Sequence, residues 1–102
     1  MSVHVTTQLK TRAEHTDQVI NTLRKVLPES LQYEGCEAIH IRQDQDDPAH
    51  IVSFTQWASR QNYEDYLAWR TETGFRDQME ALLTEPQSIT FVDDIVSLTR
   101  EQ

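Results

Sequence analysis

Residues 50–67 read HIVSFTQWASRQNYEDYL, and the periodicity changes half-way along. From His50 to Trp57 the pattern has period two, with Ile51, Ser53, Thr55 and Trp57 on one face and Val52, Phe54 and Gln56 on the other, which predicts a strand. Ser59 then stands as the N-cap of a helix whose stripe carries Tyr63, Tyr66, Leu67 and Arg70. Gly74 is placed to end or break that helix, and Phe75, Met79, Leu82 and Leu83 continue helical spacing beyond it.

Toward the N-terminus, Val3, Val5, Thr7 and Leu9 alternate with His4, Thr6, Gln8 and Lys10, the signature of a half-buried strand. Thr11 and Glu14 have capping-box spacing, and Val19, Ile20, Leu23, Val26 and Leu27 recur as a helix should, so a helix is predicted from about Glu14. Pro28 either kinks that helix or ends it, with Leu31 packing from a last turn. Gly35 marks a turn, and Ala38, His40 and Arg42 alternate with Ile39 and Ile41 in a strand that forms a hairpin with 50–57 through the acidic turn Asp44, Asp46, Asp47, Pro48. Past Glu85 and Pro86, a last strand is predicted from Ile89, Phe91, Val92, Ile95 and Val96, interrupted by Asp93 and Asp94. The order β-α-β-β-α-β predicts an α+β, ferredoxin-like single domain over residues 1–102, with a four-stranded antiparallel sheet and its helices on one face. The other face holds Val52, Phe54 and Val92, and packing sheet on sheet in a homodimer is the economical way to cover them.

The 102 residues carry 17 Asp and Glu against 9 Lys and Arg, a formal charge of −8, with no basic run. Nucleic acid and anionic membrane surfaces are therefore not expected partners. Cys36 is the single cysteine, so no disulfide forms within the chain and CxxC spacing is absent. The first ten residues lack the pattern of a signal peptide, and nowhere do about 18 apolar residues run together. A cytoplasmic protein is expected.

The run Glu34-Gly35-Cys36, the hairpin ending Phe54-Thr55-Gln56-Trp57, then Ala58-Ser59-Arg60 and Tyr63-x-x-Tyr66-Leu67 resembles the antibiotic biosynthesis monooxygenase family, whose members are small dimeric α+β barrels. The likeness extends from Val3 to about Ile95. It implies cofactor-independent oxygenation of electron-rich aromatics such as quinols and anthrones, with molecular oxygen as co-substrate, in a pocket between sheet and helices. One branch degrades haem, and other members of the wider superfamily cyclise or isomerise. Two departures stand out. Many members carry Glu where this chain has Thr55, and the haem-degrading branch has Asn, Trp and a ligand His where Thr7, Tyr66 and Arg76 or Asp77 stand here. Without that His, haem is not expected, nor is any other cofactor.

Triplet oxygen attacks a closed-shell molecule only when that molecule donates an electron, so a protein without flavin or metal has to stabilise the deprotonated substrate and exclude water. Trp57, Tyr66 and Thr55 are the candidate catalytic residues, with Tyr66 favoured because it falls where the haem-degrading branch puts a pocket aromatic. Thr7, Ser53, Tyr63, Trp69, Arg70, Phe75 and Met79 are the candidate substrate-binding residues: aromatic rings to stack, hydroxyls to bind oxygen atoms, and a guanidinium to clamp an anion. Each has a plainer reading. Trp57 and the two tyrosines read first as core, Trp69 lies off the helix stripe at a pocket mouth or dimer contact, and Arg70 reads first as the partner of a neighbouring acid. His4, His15, His40 and His50 share no ligand spacing, although His4 and His40 approach if their strands pair; Asp44, Asp46 and Asp47 lack the glycine and closing Glu of a calcium loop. No metal site is expected. Cys36, with no flanking cation, reads as a small buried hydrophobe. The favoured function is thus a homodimeric oxygenase of a small phenolic, quinol or polycyclic aromatic substrate. Its rivals are a non-redox cyclase or isomerase, and a small-ligand-binding dimer without turnover.

Overall fold

Strand β1 (Val3–Lys10) is one of the two inner strands of the sheet, with partners on both sides, β3 (His50–Trp57) and β4 (Ser88–Val92). The computed structural model describes residues 2–101. With β2 (Cys36–Gln43) beyond β3, the sheet order is β2-β3-β1-β4, antiparallel throughout. Helix α1 (Thr16–Leu31) connects β1 to β2, and α2 (Arg60–Glu72) and α3 (Phe75–Glu80) lie between β3 and β4. The architecture is the ferredoxin-like α+β arrangement expected from the periodicities.

The period-two strands place Val5, Leu9, Ile51 and Trp57 under the helices, each at most 4% exposed. Two apolar clusters result. One joins Leu9, Ile51, Val19, Leu23, Met79 and Leu83, and the other joins Val5, Trp57 and Tyr63. On the opposite face Phe54 and Val92 stay 37% and 42% exposed, and the Arg42 guanidinium lies 4.8 Å from the Phe54 ring.

Four expectations need correction. Thr11 and Glu14 form no capping box: Glu14 belongs to a short 3-10 turn (Ala13–His15), while the Thr11 hydroxyl donates to the Ala49 carbonyl and lies 2.6 Å from that of Thr16. A hydroxyl has one proton, so Thr16 donates to Thr11, and Thr11 joins the helix start to the hairpin. Second, α1 runs through Pro28 to Leu31, and Leu31 is 43% exposed rather than packed; Ser30 is the buried residue of that turn. Third, β4 stops at Val92. Its partner strand has begun by His4, which opposes Val92, so Ile95 and Val96 find no ladder to join and are 95% and 74% exposed. Fourth, β3 separates the strands of His4 and His40; His4 opposes Gln56 and His40 opposes Phe54.

Two loops are fixed by their own hydrogen bonds. Asp44 accepts the amides of Asp46 and Asp47 at 2.8 and 3.2 Å and sits 3.1 Å from His50 Nδ1; these bonds, the Asp46 amide first, hold its carboxyl below the usual range. Among the described residues no cluster of three or more His, Cys, Asp or Glu is built to hold a metal. At the start of β2, Gly35 has φ +88°, and its carbonyl accepts the Ala58 amide at 2.8 Å. Beside it Ser59 caps α2, accepting the Asn62 amide at 3.1 Å and donating to Asn62 Oδ1 at 2.7 Å. A Cβ on Gly35 would stand 2.3 Å from Asn62 Cγ. Gly35→Ala is therefore expected to destabilise the domain by about 2 kcal/mol or more, combining left-handed strain with overpacking. Thermal unfolding checks this, with a fall of about 8 °C or more expected.

Candidate active site

Between the sheet and the helices lies a cavity of about 90 Å³. At roughly 10–15 Å³ per water this is room for several waters or one small ring. The strands form its floor with Thr7 and Leu9, Ile39 and Ile41, and Ser53, Thr55 and Trp57. Helix α1 adds Leu23, Leu27 and Ser30; α2 adds Tyr63, Tyr66, Leu67 and Arg70; α3 adds Phe75, Arg76 and Met79; and Gln87 comes from the approach to β4. Nine of the ten candidate residues thus border one space. The tenth, Trp69, does not: it stacks on Tyr33 with ring centroids 5.3 Å apart. At about 100° per residue, position 69 falls off the stripe of 63, 66 and 70.

The polar groups of the cavity differ in how free they are. Thr55 is committed: its hydroxyl accepts the Trp57 indole N–H at 2.9 Å and donates to the Val5 carbonyl at 3.4 Å. Its role in the ground state is to orient Trp57. Arg70, 5% exposed, is committed too. It donates from Nε to Tyr66 at 3.2 Å, from Nη1 to Glu29 at 3.2 Å, and from Nη2 to Ser30 at 2.8 Å and to the Val26 carbonyl at 3.4 Å. The ion-pair reading of this residue is what the structure contains, and the four hydrogen bonds together use four of the five guanidinium N–H donors. Ser30 Oγ and Tyr66 Oη lie 2.7 Å apart and both accept from Arg70, so one of the two hydroxyls donates to the other. The second O–H is left to point elsewhere, and the cavity is what both residues border.

Tyr63, Thr7 and Ser53 have hydroxyls without hydrogen-bond partners among the described residues, and Thr7 and Ser53 sit opposite one another across the β1–β3 pairing. Tyr63 is 5% exposed. Burial pushes its hydroxyl up to about 12, Tyr66 adds to the rise and Arg76 opposes it, so it remains a neutral donor at physiological pH. An unfolded tyrosine ionises near pH 10. The stability tied to the neutral hydroxyl is accordingly fully present below about pH 10 and is lost as the pH rises toward the folded value of about 12. Melting curves over that interval are expected to fall more steeply for the native chain than for Tyr63→Phe, the gap approaching the 2–3 kcal/mol that about two pH units represent.

Arg76 was visible in the sequence only as a place where a ligand His is missing. Among the described residues its buried Nε has no partner, and its one hydrogen bond is from Nη1 to Thr71 at 3.3 Å. Among the described residues no carboxylate lies within ion-pair distance of it, in a chain where acids outnumber bases nearly two to one. Among the described residues no Asp, Glu, His or Cys lines the cavity. The space is therefore walled by aromatic and aliphatic groups, with one uncompensated cation and several neutral donors. Aromatic walls of this kind can stack on a ring, and a guanidinium among them can stabilise an anion.

The family model described as antibiotic biosynthesis monooxygenase matches residues 2–81. The chain belongs to this family. Among solved structures, a crystal structure of an antibiotic biosynthesis monooxygenase is similar at 22% identity, with a TM-score of 0.82 over 92% of this chain and 99% of the other. Rv0793 from Mycobacterium tuberculosis is 18% identical with a TM-score of 0.82, over 97% of this chain and 100% of its own. PA3566 from Pseudomonas aeruginosa is 19% identical with a TM-score of 0.79, over 93% and 95%. At such identities the likeness shows the fold. No curated protein matches the sequence. Among the described residues no helix is long and apolar enough to cross a membrane.

Proposed function

We propose that this member of the family is a cofactor-independent monooxygenase that oxidises a small phenol or hydroquinone with molecular oxygen. The observation that carries the reading is Arg76, an unpaired guanidinium with a buried free Nε in an aromatic cavity. A cation in a desolvated site lowers the pKa of a phenol bound beside it, and the phenolate is the form able to pass an electron to oxygen. Tyr63, neutral to high pH, donates to the same oxygen; Trp57, held by Thr55, stacks on the ring; Leu23, Leu27, Phe75 and Met79 exclude water. The radical pair collapses to a C–O bond. For a simple phenol the balance is phenol plus O2 giving quinone plus water, so the substrate supplies every electron. The volume of about 90 Å³ suits a single ring. The protein acts as a homodimer through the open sheet face carrying Phe54 and Val92, which covers their exposed area.

One observation favours a rival, a small-ligand binder or non-redox cyclase: the lining contains no carboxylate or imidazole to take a proton. Oxygen consumption by metal-stripped protein separates them. Uptake with single-ring hydroquinones, weaker with the larger naphthols and anthrones, is expected. No uptake, combined with thermal stabilisation by the same compounds, would leave binding or cyclisation.

A further inference from the structure

The cavity wall holds one pair of groups that the reaction above leaves idle, the hydroxyls of Ser30 and Tyr66. Ser30, in the last turn of α1, is 1% exposed, and Tyr66 reaches it from α2. Their oxygens lie 2.7 Å apart, and the guanidinium of Arg70 holds both, Nε donating to Tyr66 at 3.2 Å and Nη2 to Ser30 at 2.8 Å. Arginine keeps its charge at physiological pH and offers no acceptor, so toward it both oxygens are fixed as acceptors. The guanidinium is itself held, 4.3 Å from the Trp69 ring centroid and 5.0 Å from that of Phe75, and it is paired with Glu29 at 3.2 Å.

We infer that Ser30 and Tyr66 form a proton relay that carries the phenol proton to the reduced oxygen, with Arg70 as the residue that positions them. The inference rests on the oxygenase reading and supplies what that reading lacks, because among the described residues no carboxylate or imidazole lines the cavity. The two hydroxyls carry two protons. One lies between the oxygens, and the other has no acceptor among the described residues, while both residues border the cavity. Either oxygen can hold the shared proton, so the pair has two arrangements that interconvert by passing protons along one line. A hydroxyl that accepts from a guanidinium is polarised by it and donates more strongly.

The chemistry asks for no more than such a neutral pair. Phenol plus O2 giving quinone plus water releases no proton, so the cavity needs a path for protons and not a basic sink. In the first step one electron passes from the substrate to dioxygen, the phenol O–H bond breaks, and an O–H bond forms on the reduced oxygen, giving a phenoxyl and a hydroperoxyl radical. One hydroxyl of the relay gives its proton to the reduced oxygen and takes its partner's, and the partner takes the substrate's. Ser30 and Tyr66 end as they began, and neither has to ionise. The radicals then join through a C–O bond, and loss of the ring proton with cleavage of the O–O bond releases water and leaves the quinone.

Oxygen uptake with hydroquinone, for which the first step is the same, tests the relay. Ser30→Ala and Tyr66→Phe are each expected to lower kcat about 100-fold while KM stays within about threefold, the scale of a lost general acid–base group. The double variant is expected to be no slower than the slower single one, because the two hydroxyls act as a unit. In mixtures of H2O and D2O the native rate is expected to follow a bowed curve, the mark of more than one proton in flight, and Tyr66→Phe to straighten it. Ser30→Thr, which keeps the hydroxyl, should recover most of the loss. Losses that multiply in the double variant, or a straight native curve, overturn the relay and leave the oxygenase reading standing on the native uptake. If Ser30→Ala does not fold, Tyr66→Phe and the isotope curve decide. No uptake by the native protein with hydroquinone or a single-ring phenol overturns both.

Discussion

Trp57→Ala is expected to destabilise the domain by about 3–5 kcal/mol, a large part of the 5–15 kcal/mol by which a domain of this kind is stable. Trp57 is 1% exposed and among the largest fully buried side chains. Its ring packs on Tyr63 at 5.5 Å and on Tyr66 at 5.0 Å, its indole N–H is bound by Thr55, and it ends β3 opposite Val3 on one side and Cys36 on the other. Truncation therefore opens a cavity beneath three elements and strands the Thr55 hydroxyl. Trp57→Phe keeps most of the packing and loses chiefly the hydrogen bond, a cost of about 1 kcal/mol. Urea unfolding with an unchanged m-value separates the two variants. A drop in melting temperature smaller than about 5 °C for Trp57→Ala would show that the tyrosines collapse into the space, so that Trp57 is not the anchor of its cluster.

The elements read correctly from sequence are those whose determinants are local. The period-two run 50–57, the Ser59 cap and the glycine between α2 and α3 each settle their own backbone, and all three stand where the periodicity puts them. Thr11 is different. Its spacing to Glu14 is that of a capping box, but a carbonyl from the hairpin 38 residues on competes for the hydroxyl and wins. The last strand fails for a similar reason, since the chemistry of Ile95 and Val96 suits a strand and only the start of β1 determines that no ladder remains for them.

Side-chain placement follows the same division. The inward stripe of α2 was legible, so Tyr63, Tyr66 and Arg70 were found together, and the same periodicity put Trp69 to one side. What spacing does not reveal is whether a charge is satisfied. Arg70 and Arg76 look alike in the sequence, yet the first is bound by Tyr66, Glu29, Ser30 and a helix carbonyl while the second borders the cavity and has a buried Nε without a partner among the described residues. The difference arises from Glu29 and Ser30, some 40 positions away on α1.

That difference leads to the largest expected effect on activity. Arg76→Leu is expected to lower kcat/KM for oxygen-dependent turnover by about 10²–10³, the loss seen when one positioned donor to a developing anion is removed. Arg76→Lys should recover only part, because an ammonium keeps the charge but not the planar fork. Two further readouts distinguish stabilisation of a substrate anion from support of the fold. The pH profile of the leucine variant is expected to move to the alkaline side, where the phenol ionises without help. Its melting temperature is expected to hold or rise slightly, because the substitution removes a desolvated donor that nothing in the folded protein satisfies. A variant that lost activity and stability together, with an unmoved pH profile, would make Arg76 a packing residue of α3 and take away the cation on which the oxygenase reading depends.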